Sequence, residues 1–127
     1  MAFGCWLGID PGKHGGFALI SHDEIVLAWP MPETEVGIGK LFKNRLKPAG
    51  ISKCLIEKVH SMPKDGKASA FKFGRNAGLL IGMLIAHEIE YEEIAPQTWQ
   101  QALGIAQRAK IPKWHGVPLV NFPAPNV

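Results

Sequence analysis

Through most of its length the chain alternates between short apolar runs and polar or glycine-bearing breaks. Residues 2–9, AFGCWLGI, form a nearly unbroken apolar run and read as a first strand. Residues 16–21 and 24–30 read as a second and a third strand. Only His22 and Asp23 separate these two, which predicts an antiparallel hairpin. Pro30 and Pro32 end the third strand. The period then becomes helical over 36–46, with Ile38, Leu41, Phe42 and Leu46 on one face and Lys40, Lys43 and Lys47 on the other. Pro48 and Gly50 stop this helix. Residues 53–59 have the dense apolar character of a buried parallel strand. A polar loop over 60–67, a long helix over 68–87 and a fifth strand over 90–94 follow. After Pro96, residues 98–103 open a further short helix.

Three strands, a helix, a parallel strand, a helix and a strand is the order of an α/β fold of the ribonuclease H-like type. It predicts a five-stranded mixed sheet, three strands antiparallel and then two parallel, flanked by helices. The first and fourth strands lie side by side in that architecture. At 127 residues the chain is one domain, large enough to bury a core without metal or disulfide staples. An apolar fraction of 46% and a charged fraction of 20% are those of a soluble globular protein. The longest apolar stretch, 77–86, is far short of the ~20 residues of a membrane span. The N-terminus lacks the basic and apolar segments of a signal peptide. Cys5 and Cys54 fit no metal-binding spacing and read as reduced core residues of a cytoplasmic protein. A net charge of +3 and a pI near 9.0 lean toward an anionic partner.

Two acidic residues stand out against this background. Asp10 ends the first apolar run, before the turn Pro11-Gly12 and the pair Gly15-Gly16, and Glu57 sits within Leu55-Ile56-Glu57-Lys58. An unpaired charge buried in a strand costs several kcal/mol or more. At the carboxyl end of a strand the same acid faces the crevice where open α/β sheets bind ligands. Singly, Asp10 reads as an Asx-type turn cap and Glu57 as an ion-pair partner of Lys58 or Lys53. Together, on neighbouring strand ends, they read as ligands for a hard divalent cation.

The motifs Gly8-Ile9-Asp10-Pro11-Gly12, Leu55-Ile56-Glu57, 70–78 (AFKFGRNAG) and 94–99 (IAPQTW) resemble those of RuvC-like Holliday junction resolvases, phage and prophage members above all. The match covers about 3–104. A similar Gly-Ile-Asp-Pro-Gly turn opens actin-like ATPases, but those carry a second phosphate loop and far more chain. The resemblance implies a homodimeric endonuclease that cuts four-way DNA junctions by metal-assisted phosphodiester hydrolysis, with Mg²⁺, or alternatively Mn²⁺, as cofactor. It makes Asp10 the first acid and Glu57 the second, catalytic residues and metal ligands both. Members carry two further acids on a C-terminal helix. Here no Asp or Glu occurs from Ile94 to Val127. The expected nuclease domain is therefore 1–107, and 108–127 is a Pro-rich tail outside the family pattern. Pro112, Pro118, Pro123 and Pro125 oppose a long helix there. His115 is one conceivable substitute ligand. The alternative function is a catalytically deficient relative that binds branched DNA without cutting it.

Candidate DNA contacts are Lys13, Lys58, His60, Lys64, Lys67, Lys72 and Arg75, most of them around a glycine-bearing loop and the start of a helix. The lysines read equally well as a solvated face. His60 lies where bacterial members carry an aromatic wedge. Phe71 and Phe73, two apart on a helix, cannot share a face, so at least one belongs to the core. Gly74, Gly78 and Gly82 form a flat stripe, expected to seat the helix on its own sheet, with the rest of the helix contributing to a dimer.

Overall fold

A computed structural model of the chain describes residues 5–21, 24–59 and 66–95. The sheet is built from β1 (Cys5–Asp10), β2 (Gly16–Ser21), β3 (Glu24–Pro30), β4 (Ile51–Glu57) and β5 (Tyr91–Ile94), in the order β3-β2-β1-β4-β5. β1, β2 and β3 are antiparallel; β4 runs parallel to β1, and β5 parallel to β4. This is the predicted mixed sheet, with β1 and β4 adjacent at its centre. The expected helix over 98–103, His60, Lys64, His115 and the boundary at 107 lie outside the described residues.

Register sorts the strand residues onto two faces. Leu7, Leu19 and Leu27 form one row across β1–β3, and Ile9, Phe17 and Trp29 form the next. On the other side of β1, Leu7 continues to Cys54 and Tyr91, and Ile9 to Ile56. These residues make the core with the two helices, α1 (Glu35–Leu41) and α2 (Lys67–Ala86). Ile38, Leu41, Phe42, Leu46, Leu80 and Leu84 face them and are buried. The rings of Phe17 and Phe42 meet edge to face, with centroids 5.9 Å apart and planes at 83°. Each such fully buried side chain contributes roughly 1.5–3 kcal/mol.

The helix expected over 36–46 changes character partway. Thr34 caps α1 by accepting the Gly37 N–H at 2.9 Å. From Phe42–Leu46 the turn widens to π-helical geometry, and Lys47–Ala49 forms a 3-10 turn. Pro48 explains the change: it lacks an N–H and crowds the carbonyl four residues before it. The wider turn keeps both Phe42 and Leu46 fully buried. The lysine face is exposed as expected.

α2 ends in a Schellman motif: the Ile89 N–H bonds to the Leu84 carbonyl at 2.9 Å and the Glu88 N–H to that of Ile85 at 3.0 Å. Glu88 occupies the left-handed position, with φ 58°. A side chain there carries a penalty that glycine avoids. Glu88→Gly is expected to raise the unfolding free energy by about 1 kcal/mol. Urea denaturation checks this, and an unchanged or lower midpoint contradicts it.

The glycine stripe on α2 does not seat the helix on the sheet. Gly74, Gly78 and Gly82 are exposed, and among the described residues no atom lies within 4 Å of where a Cβ would stand. Leu80 and Leu84 face the sheet instead, because they present far more apolar area to bury. Phe71 is exposed at 68%, while Phe73 is half-buried.

Candidate functional site

The face of the sheet opposite the core carries the acids. Ile9 and Ile56 are register partners on β1 and β4, and both point into the core. Alternation along a strand turns the next residues, Asp10 and Glu57, to the other face. They follow each other in register at the carboxyl ends of the two central parallel strands. β1 and β4 lie side by side at the sheet centre, where Leu7 and Ile9 of one and Cys54 and Ile56 of the other are buried as register partners. Asp10 is 7% exposed, and it is the buried charged residue among those described. Glu57 is half-buried. Among the described residues, no buried side-chain oxygen or nitrogen lacks a hydrogen-bond partner.

The turn after Asp10 is tightly built. The Gly15 N–H bonds to the Gly12 carbonyl at 3.0 Å, and the Met31 N–H to the Gly15 carbonyl at 3.0 Å. This leaves Lys13 and His14 at the exposed tip. A Cβ on Gly15 would stand 1.8 Å from the Asp10 carbonyl oxygen. Gly12 has φ +104° and would bring a Cβ within 3.1 Å of the Phe73 ring. Its N–H donates to Asn76 Oδ1 at 2.7 Å. Two residues of α2 thus hold the turn that carries the first acid.

The candidate DNA contacts divide into three groups. Lys13, beside Asp10, and Lys58, next after Glu57, are exposed at the acid end of the sheet. Lys58 is anchored through its N–H to the Ile94 carbonyl at 2.8 Å. Lys67, Lys72 and Arg75 are exposed on α2. His60 and Lys64 lie outside the described residues. Arg75 is engaged within the protein: its Nε and a second guanidinium nitrogen donate to the Glu35 carboxylate of α1 at 2.6 and 2.9 Å. The hydrogen bond and charge of Arg75 hold the Glu35 pKa below its ordinary value, and Glu35 raises that of Arg75. The pair is thus present at neutral pH and is lost only as acid titrates Glu35 below the usual carboxylate range. Lys53 pairs at 3.1 Å with Glu92, the residue opposite Leu55 on β5.

Cys5 and Cys54 are free thiols. Burial pushes the Cys54 pKa up to about 12, so this thiol stays protonated and inert at neutral pH. No described helix is long and apolar enough to cross a membrane.

Magnesium fits this donor set. Two carboxylates on adjacent strand ends offer hard oxygens, and Mg²⁺ is commonly held by one or two carboxylates, with waters and substrate phosphates completing its shell. Among the described residues there is no cluster of three or more His, Cys, Asp or Glu side chains.

Sequence reasoning missed Glu35 as the partner of Arg75 and Asn76 as the partner of Gly12. The signal for Asn76 was present. Phe73, Asn76, Leu80 and Leu84 recur at helical spacing, so a polar side chain interrupts the inward stripe of α2. For Glu35 no sequence signal exists, because its partner lies 40 residues away.

No protein-family model matches the sequence. No curated protein matches it either. Solved structures do. RuvC of T. thermophilus in complex with a Holliday junction substrate superposes with a TM-score of 0.66 at 16% identity, over 97% of this chain and 84% of that one. A second structure of Thermus thermophilus RuvC gives a TM-score of 0.51 at 15% identity, over 80% and 69% of the two chains. The chain has the ribonuclease H-like fold of RuvC.

Proposed function

We propose that this protein is a structure-selective endodeoxyribonuclease acting on four-way DNA junctions. One observation carries the reading: Asp10 and Glu57 end the two central parallel strands, each one position beyond the register partners Ile9 and Ile56, in the fold of a RuvC solved with a Holliday junction. Asp10 and Glu57 would hold the divalent metal, Mg²⁺ or Mn²⁺. Bound there, the metal would activate water and stabilise the leaving oxygen of a phosphodiester. The protein's side chains do the rest. The Gly12–Gly15 turn fixes the direction of Asp10. Its burial removes competing water and strengthens its attraction for a cation. Lys13 and Lys58 flank the acids and attract the DNA backbone. Lys67 and Lys72 of α2 add further positive charge for the junction backbone, and His60 and Lys64 are further candidate contacts by sequence.

Two symmetric cuts need two such sites, so the working form is a homodimer. Phe71, Gly74, Gly78, Gly82 and Ile85 lie along one exposed side of α2 and supply an apolar, close-packing surface for it. The nuclease unit is placed at 1–107, with 108–127 outside it.

A second reading has its own support. No acid occurs from Ile94 onward, so the chain itself provides neither of the two late ligands that resolvases carry. A protein with only Asp10 and Glu57 would bind junctions and cut them slowly or not at all. A synthetic four-way junction, incubated with Mg²⁺ and separately with Mn²⁺, separates the two. Paired symmetric nicks support the enzyme. Metal-insensitive binding without nicks supports the binding protein. Equal affinity for linear duplex and junction refutes both.

Arg75 gives a further check on the DNA surface. Glu35→Gln removes the charge that engages it. Junction affinity is then expected to rise at low salt, with the salt dependence steepening by about one phosphate contact. A titration series between 50 and 200 mM salt, roughly the range over which such contacts are lost, measures it. An unchanged slope removes Arg75 from the interface.

A further inference from the structure

We infer that Asn76 of α2 is a positioning residue for the first acid: its amide oxygen holds the Gly12 N–H and thereby sets the direction in which Asp10 presents its carboxylate. The inference rests on the proposal that Asp10 is a metal ligand.

The observations are geometric. The hydrogen bond from the Gly12 N–H to Asn76 Oδ1 is 2.7 Å long, half-buried, and joins residues 64 positions apart. Gly12 is in the left-handed region at φ +104°, a conformation with many neighbours of similar energy for glycine. Something must select one of them. The Phe73 ring closes one side, at 3.1 Å from the position a Cβ would take, and Asn76 ties the other. The remaining turn is rigid by contrast, since Gly15 packs directly on the Asp10 carbonyl and bonds back to Gly12. Only Pro11, whose φ is fixed, separates Asp10 from the held amide of Gly12. A rotation at Gly12 therefore passes almost undamped to Asp10. Asn76 interrupts the inward stripe of Phe73, Leu80 and Leu84, where an apolar residue would bury more area. A polar residue at such a place is retained for its hydrogen bond.

This tie also joins two parts of the molecule. The same helix carries Lys67, Lys72 and Arg75, so the element that offers phosphate contacts also aligns the acid. A cation held by few protein ligands is sensitive to the orientation of each. Loss of a group that orients a ligand typically costs about tenfold to a hundredfold in metal affinity.

The test uses the full chain, with Mn²⁺ as the probe, and reads free Mn²⁺ by electron paramagnetic resonance. Asn76→Ala is expected to weaken Mn²⁺ binding by about tenfold, while metal-free junction binding stays within about twofold. It should also raise hydrogen exchange at the Gly12 amide. Asn76→Asp keeps an acceptor oxygen at the same place and is expected to restore protection at Gly12. A purely structural role predicts a lower unfolding midpoint with unchanged Mn²⁺ affinity in the folded fraction, and that result overturns the inference. Asp10→Asn separates the two levels. If Asp10→Asn loses Mn²⁺ and Asn76→Ala does not, the positioning role fails and the site stands. If Asp10→Asn leaves Mn²⁺ binding intact, or the unaltered protein binds none, the metal reading itself fails.

Discussion

Asp10→Asn is expected to lower metal-dependent nicking of a four-way junction by at least about a hundredfold. Asparagine has nearly the same shape, so the turn, the Gly12–Gly15 hydrogen bond and the packing on Phe73 survive. The negative charge does not. Mg²⁺ selects charged oxygen ligands, and an amide oxygen replaces one poorly. Of the two carboxylates proposed to hold the cation, removing one halves the charge that offsets it. Glu57→Gln is expected to act in the same direction and less strongly, because Glu57 is half-buried and water can take part of its place. Junction affinity without metal should change little, since DNA is repelled by these acids rather than held by them. Single-turnover cleavage of an end-labelled junction gives the rate, and a gel shift in EDTA gives the affinity. Nicking by Asp10→Asn at the unaltered rate would remove Asp10 from the chemistry.

The largest structural effect is expected from Gly15→Ala. The added methyl would stand 1.8 Å from the Asp10 carbonyl oxygen and 2.8 Å from that of Pro11. Both are backbone atoms, so no side chain can rotate away. Either the turn opens or β2 shifts against β1, and Gly16 is the register partner of Asp10. Opening the turn also loses the Met31 N–H bond to Gly15, which ties the end of β3 to the site. A cost of about 3 kcal/mol or more follows from overpacking against immobile atoms. Against a total stability of about 5–15 kcal/mol for a domain, that is a large share. Urea denaturation followed by tryptophan fluorescence measures it, with Trp29 buried in the core as reporter. A loss below about 1 kcal/mol would mean that the turn yields without strain.

Much of the scaffold was legible in the residues. The five β-rich runs and the long helix fall within a few positions of where period and punctuation place them, because apolar spacing is a local property. The inward faces of α1 and its π-helical extension were read correctly from Ile38, Leu41, Phe42 and Leu46 for the same reason. The change of helical hydrogen bonding was not read, since it depends on how Pro48 is accommodated while Leu46 stays buried. The glycine stripe was assigned to the wrong side. Spacing shows that Gly74, Gly78 and Gly82 share a face, but which face meets the sheet depends on competition with Leu80 and Leu84.

The sequence alone determined the strand and helix periods, the two acids at strand ends and the absence of acids after Glu93, because each is a matter of residue type and local spacing. Only the tertiary structure decided that Asp10 and Glu57 follow each other in register, that Arg75 is engaged by Glu35, and that Asn76 and Phe73 clamp the turn at Gly12. These relations join residues 40 or more positions apart, and chain geometry at one end carries no record of what lies beside it from the other.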